Sequence, residues 1–290
     1  MSSRQLSPTF APPATRFLAS SAEVAAAQAA VFGAPLDLTE SFRSGAHAGP
    51  SAVRHVSDVL ETYSPVLDAD LEGVRLVDLG DVPLDRLAIG DALDRIAQSM
   101  AYAVSAAQLA VMVGGEHTAS LGGFRGFRQV YGDGVLVQVD AHLDMRADDE
   151  GERFTHATWL HRAGEEFGFP SIHQVGLRSG ERTEWVFARE HNARVTSELS
   201  LRHDALGARP VYLSIDIDVL DPAYAPGTGC PEPGGFTFRE LAEFLYSLKG
   251  LNVRTMDVME VAPQVDAANI TAAAAAKLIR EAILLFATRP

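Results

Sequence analysis

At 290 residues, 47% hydrophobic and 21% charged, the chain is long enough to bury one large core and has the balance of a folded globular protein. Its formal net charge of −14 disfavours nucleic acid and anionic membrane surfaces, and it suits a cationic ligand. A single cysteine, Cys230, excludes an intramolecular disulfide and a thiolate zinc cluster, which makes a reducing cytoplasm the natural setting. No basic segment followed by an apolar core opens the sequence, and the Ala-rich stretch 22–34 is short and carries Glu23, so neither export nor a membrane span is expected.

Residues 1–28, with Ser7-Pro8 and Ala11-Pro12-Pro13, read as a loosely held arm ahead of one domain over 29–290. The first strand is expected at 29–35, a loop from Ser41 to Pro50, and a helix opened by Pro50 that runs to about Tyr63. Apolar runs then recur at 74–79, 109–113, 135–139, 172–177, 211–217 and 253–261. Between them lie segments of helical period at 89–107, 120–131, 156–167, 183–192 and 237–248. A last Ala-rich helix is expected over 271–286, with Lys277, Arg280 and Glu281 toward solvent. Strands alternating with helices predict a parallel α/β sheet covered on both faces, and such sheets bind ligands beyond the carboxyl ends of their strands.

The chemistry-bearing residues cluster at those ends. After the run 134–139 comes Asp140-Ala141-His142-Leu143-Asp144, in which alternation in an extended chain points Asp140, His142 and Asp144 the same way. After 211–215 come Asp216 and Asp218, again two apart, and two carboxylates aimed together call for a cation between them. Asp221, before Pro222, suits a turn and is left outside this set. After 111–113, Gly114-Gly115-Glu116-His117-Thr118 permits a tight turn that presents His117, with Thr118 able to cap the next helix. Taken singly, each residue also fits a solvated strand end. Together, four carboxylates and two imidazoles exceed one tetrahedral zinc and suit two adjacent ions that share carboxylates, with Mn²⁺ favoured by the oxygen-rich set. A bridging hydroxide would leave this centre one net negative charge, which a substrate cation neutralises.

The motifs GGEHT at 114–118, DAHLD at 140–144, SIDIDVLDP at 214–222 and MEVAP at 259–263 resemble, in order and over most of the chain, those of the ureohydrolase family of arginases, agmatinases and guanidinobutyrases. The resemblance implies a three-layer αβα fold around an eight-stranded parallel sheet and two Mn²⁺ per subunit held by His117, Asp140, His142, Asp144, Asp216 and Asp218. It further implies hydrolysis of a guanidino group to urea and an amine by a hydroxide bridging the two manganese ions. Asp144 would orient that hydroxide, His156 matches the histidine that relays protons to the leaving amine, and Glu260 matches the glutamate that pairs with the guanidinium. Family members commonly form trimers or hexamers, so a homo-oligomer is expected.

Substrate choice follows from loops. The Asn- and Ser-bearing loop with which arginases follow DAH is replaced by Met145 to Arg153, whereas 227–235 and 176–180 resemble the agmatinase version. Agmatine, cleaved to putrescine and urea in polyamine biosynthesis, is the first expectation, and guanidinobutyrate or arginine the alternative, because Arg146 and Arg153 could meet a carboxylate. From other classes come a deacetylase-like amidohydrolase with one zinc and a catalytically silent metal-binding relative. Cys230, where many relatives carry Thr, reads as a buried small thiol.

Overall fold

The computed structural model describes residues 8–191 and 193–288. The first seven residues of the expected arm, Asn192 at the end of one expected helix, and 289–290 lie outside the described residues. The elements, in chain order, are β1 (Ala29–Ala34), α1 (Gly49–Ser57), β2 (Tyr63–Ser64), β3 (Ala69–Asp70), β4 (Leu76–Asp81), α2 (Ile89–Ala106), β5 (Leu109–Gly114), α3 (Ala119–Tyr131) and β6 (Val135–Val139). They continue as α4 (Trp159–Phe167), β7 (Ile172–Val175), α5 (Arg182–Glu190), β8 (Arg194–Val195), β9 (Val211–Asp216), α6 (Phe238–Ser247), β10 (Val253–Met259) and α7 (Ile270–Phe286).

Eight of the strands form one parallel sheet in the order β4-β1-β5-β10-β9-β6-β7-β8. The two-residue alternation sends Val31, Val111, Val137 and Leu213 to a core shared with Val53 of α1, Leu241 of α6 and Ile279 of α7. Their neighbours Phe32, Met112, Leu136 and Tyr212 enter a second core with Ile96 of α2, Phe124 of α3 and Leu160 of α4. Helices thus cover both faces, giving the expected three layers. Because neither face is wetted, β1, β5 and β6 read as nearly continuous apolar runs: every residue except Gln138 lacks a charge or polar side chain, and all are buried.

Several details depart from the expectations. The eighth strand, β8, was invisible to hydrophobic periodicity because two residues at a sheet edge, one of them Arg194, make no apolar run. α1 stops at Ser57, short of the expected end near Tyr63, with the Ser57 hydroxyl donating back to the Arg54 carbonyl at 2.7 Å, and a small antiparallel pair β2–β3 begins at Tyr63. The described part of the arm is pinned: Phe17 is 1% exposed in the core, its N–H donates to Asp78 Oδ2 at 2.8 Å, and Ala11 pairs with Asp81 along the otherwise open edge of β4. On α7, Arg280 and Glu281 are buried rather than solvent-facing. They pair with each other, Ser64 Oγ donates to Glu281 at 2.6 Å, and Arg280 donates to the Glu61 carbonyl at 2.7 Å, so the ion pair fastens the β2 segment to the helix. Among the described residues, no helix is long and apolar enough to cross a membrane.

Candidate metal centre

The carboxyl ends of β5, β10, β9 and β6 lie side by side at the middle of the sheet, and the loops leaving them converge. β6 ends at Val139; Asp140 N–H still meets the Val175 carbonyl at 3.1 Å and His142 makes an isolated parallel bridge with Ser179, but the simple alternation expected through Asp144 does not hold. Asp144 instead takes a left-handed backbone, φ 52°, and this turn swings its carboxylate back beside Asp140. Similarly β9 ends at Asp216, and a 3-10 turn carries Asp218, whose N–H donates to Asp216 Oδ1 at 2.8 Å.

The result is two donor sets with one shared member. His117 Nδ1 lies 3.1 Å from Asp140 Oδ2, 3.3 Å from Asp144 Oδ2 and 3.0 Å from Asp216 Oδ2. His142 Nδ1 lies 2.9 Å from Asp218 Oδ2 and 3.7 Å from Asp140 Oδ1. His117–Asp140–Asp144 and Asp140–His142–Asp218 each bring three ligand atoms within 4.8 Å of one another, and Asp140 offers one oxygen to each set. The structure therefore brings all six sequence-predicted ligand candidates together.

A network behind them fixes their orientation. Ser214 commits its hydroxyl proton to Asp257 Oδ1 at 2.7 Å, and Asp257 also accepts from Tyr212 and Ser120. The Ser214 oxygen is thus left to accept from His117 Nε2, 2.9 Å away, which places the lone pair on Nδ1. That Nδ1 is buried with no hydrogen-bond partner while three carboxylates face it. Burial resists charge on His117, yet its contacts with Asp140, Asp144 and Asp216 hold its pKa well above the usual 6.5. The field that draws a proton to Nδ1 draws a divalent cation equally well. Burial, with the charges of Asp218 and Asp140, pushes the Asp216 carboxyl well above the usual range. Gln138 Nε2 donates to Asp140 at 2.6 Å and Asp144 at 3.2 Å, and Trp159 Nε1 donates to Asp144 Oδ2 at 2.8 Å. A carboxylate-rich set with two imidazoles, a buried orphan nitrogen and a shared aspartate fits a pair of hard divalent ions.

A cavity of about 320 Å³ opens over this cluster, lined among others by Glu40, Arg146, His156, Glu184, Cys230 and Glu260. Glu260 also has a left-handed backbone, φ 65°. Its N–H donates to the Gly115 carbonyl at 2.9 Å and its Oε1 accepts from the His117 N–H at 2.6 Å, while Oε2 is buried without a partner. Burial and the neighbouring Glu40 and Asp216 raise its pKa well above the usual carboxylate value. His156 borders the cavity with Nε2 3.2 Å from the Ser41 hydroxyl. Burial opposes its charge, but Cys230 and Glu40 outweigh burial and push its pKa up to about 9.

Other expectations resolve differently. Thr118 does not cap α3; its hydroxyl meets that of Thr39 at 3.1 Å. Asp221 is a turn residue, accepting from the N–H groups of Ala223, Gly234 and Gly235. Arg153 is outside the cavity lining and ion-pairs with Glu165, while Arg146 lines the cavity but is engaged by Asp149 at 2.7 Å and Glu181 at 3.4 Å. Cys230 is half-buried on the cavity wall rather than sealed in a core. Sequence reasoning missed Glu40, Gln138, Trp159 and the supporting role of Glu116. Glu116 accepts from Leu38 N–H, Thr39 N–H and the Thr39 hydroxyl, and so clamps the loop that carries Glu40. Its position inside the GGEHT motif was the available signal.

A three-layer parallel sheet with this donor cluster beyond its carboxyl ends defines an enzyme of the ureohydrolase class. The chain belongs to the arginase family, whose family model matches residues 27–285. It is 38% identical over 277 residues to the agmatinase of Bacillus subtilis (strain 168), covering 93% of this chain and 96% of that one. Similarity to the guanidinobutyrase of Pseudomonas aeruginosa is 34% identity over 278 residues, 90% of this chain and 87% of that one. The solved structure of proclavaminate amidino hydrolase from Streptomyces clavuligerus superposes with a TM-score of 0.86 at 30% identity, covering 94% of this chain and 97% of that one.

Proposed function

We propose that this chain hydrolyses the guanidino group of agmatine to putrescine and urea, with two Mn²⁺ as its resident ions. His117, Asp140, Asp144 and Asp216 would hold one ion, and His142, Asp140 and Asp218 the other. The observation that carries this reading is the orphaned His117 Nδ1 facing three carboxylates, one of which also serves the His142 set. Such a pair of ions, when bound, supplies an activated water at neutral pH. The chain's own groups do the rest. Asp144, its Oδ2 held by Trp159 and Gln138, accepts the proton of the attacking water and fixes its direction. Glu260 is anchored through Oε1, so its free Oε2 can accept from the guanidinium and hold the planar carbon over the cluster. His156, held protonated beside Glu40 and Cys230, delivers a proton to the departing amine nitrogen.

Agmatine is favoured over guanidinobutyrate and arginine because, among the described residues lining the cavity, no arginine or lysine is left unpaired to meet a carboxylate. Arg146 is paired, and Glu40, Glu181 and Glu184 give the wall a negative charge that suits a second amine. The similarity to an agmatinase supports the same choice, while the similarity to a guanidinobutyrase sets the competitor. Urea release from agmatine, 4-guanidinobutyrate and arginine, compared by kcat/KM with Mn²⁺ present, tests the reading. The highest value is expected for agmatine. A higher value for guanidinobutyrate overturns the substrate, and no urea from any of the three overturns the activity.

A further inference from the structure

Three loops meet at one wall of the cavity. The loop after β1 brings Glu40, the loop between β6 and α4 brings His156, and the loop between β9 and α6 brings Cys230. One ligand atom from each, a carboxylate oxygen, an imidazole nitrogen and the thiol sulfur, lie within 4.8 Å of one another. None of the three belongs to the six-residue cluster described above. Among the described residues no hydrogen-bond partner satisfies the buried Glu40 carboxylate oxygens or His156 Nδ1, and the Glu40 carboxyl sits against that of Glu260. The Cys230 sulfur lies against the His156 imidazole and 3.8 Å from the Ser41 hydroxyl, and the same hydroxyl orients the His156 ring through Nε2 at 3.2 Å. Gly229 allows the approach, because a Cβ there would sit 2.8 Å from Glu40 Oε2.

We propose that Glu40, His156 and Cys230 form a third metal site, selective for a borderline-soft divalent ion such as Zn²⁺, at the wall of the cavity. Thiolate, imidazole and carboxylate are the three zinc ligand types, and three protein ligands with a fourth position left to water match an open zinc site. The donor chemistry separates this trio from the neighbouring cluster. A thiolate selects Zn²⁺ or Co²⁺ over Mn²⁺, whereas the aspartate-rich pair suits Mn²⁺. Binding expels the thiol proton and that of the His156 imidazolium, and the thiolate and carboxylate then balance the charge of the ion. An ion at this place would occupy the His156 nitrogen and the wall of the substrate cavity, so it would act as a block on turnover. The site itself stands whether or not the proposed reaction does.

Because Cys230 is the only cysteine, a sulfur-to-Co²⁺ charge-transfer band in the near ultraviolet reports this site and no other. The full-length protein, first saturated with two equivalents of Mn²⁺, is titrated with Co²⁺ and the band then bleached with Zn²⁺. A saturable band is expected, with Glu40→Gln and His156→Asn each weakening Co²⁺ at least tenfold and circular dichroism showing both variants folded. No band at a tenfold excess of Co²⁺, or a band whose affinity is unchanged in Glu40→Gln, overturns the site. As a second readout, Zn²⁺ should protect Cys230 from alkylation by iodoacetamide in the wild type. Equal alkylation rates with and without Zn²⁺ would likewise overturn it.

Discussion

Two of the buried charge clusters in this molecule contrast. At the edge of the sheet, Arg54 is 1% exposed and donates to Asp78 at 2.8 and 3.0 Å and to Asp81 at 2.5 Å, while the Phe17 and Gly80 N–H groups complete Asp78. Each charge there has its partner within the chain. At the centre, Asp140, Asp144, Asp216 and Asp218 converge on two histidines, and His117 Nδ1, which the first three surround, is without a hydrogen-bond partner among the described residues. Burying like charges costs several kcal/mol per group, so such a cluster either takes up protons, toward which the raised Asp216 carboxyl leans, or is balanced by a cation from outside. Balanced buried charge marks structure, and unbalanced buried charge marks a site.

The sharpest way to break this contrast is to neutralise the shared aspartate. Asp140→Asn should lose bound metal, measured by elemental analysis, and lower urea release by about three orders of magnitude or more, since activation of the water depends on the ions. Without metal, the same variant should melt no lower than metal-free wild type, because a repelling charge has gone. A variant that kept its metal, or one that melted many degrees lower, would make the cluster structural. Arg54→Met should behave oppositely. It strands Asp78 in the core, with the half-buried Asp81 beside it, and should cost about 3–5 kcal/mol in urea denaturation, with metal content unchanged.

Smaller effects sharpen the picture. Trp159→Phe removes the donor to Asp144 Oδ2 and keeps most of the ring packing against His117, whose centroid is 4.6 Å away. A loss of about 10- to 100-fold in metal affinity or kcat is expected, as for other residues that orient ligands. An unchanged kcat and metal affinity would leave Asp144 positioned by its backbone alone. His173 in β7 supplies the smallest effect. Burial and the charges of Arg194 and Arg209 push its pKa down to about 4, so the folded chain holds it neutral while the unfolded chain titrates near 6.5. That stability is present above pH 6.5 and is lost as pH falls from there toward 4. The urea midpoint should therefore drop between pH 7 and pH 5, and the drop should shrink in His173→Gln.

Much of this was legible in the sequence because apolar runs and helical periods are local signals. The parallel sheet, its central strands and the six converging donors followed from runs such as 109–113 and 135–139 and from the residues just past them. What escaped depended on contacts far apart in the chain. Arg280 and Glu281 looked solvent-facing because helical period cannot reveal that Ser64 lies 217 residues away and donates to Glu281. Asp144 joined the cluster through a left-handed turn and not through strand alternation, so the expected convergence held for a different reason. Glu40 stood just ahead of the loop expected from Ser41, with no neighbour in sequence to mark it, and the segment that carries it is fixed by Glu116, 77 residues on from Thr39, together with Thr118 and His156.

On the proposed function, the unbalanced carboxylates hold two ions and turnover needs both. Metal-free protein titrated with Mn²⁺, with bound metal and urea release from agmatine followed together, tests it most directly. Activity should rise to a plateau as two equivalents bind and vanish on chelation. A plateau at one equivalent, or urea release from metal-free protein, would contradict the account.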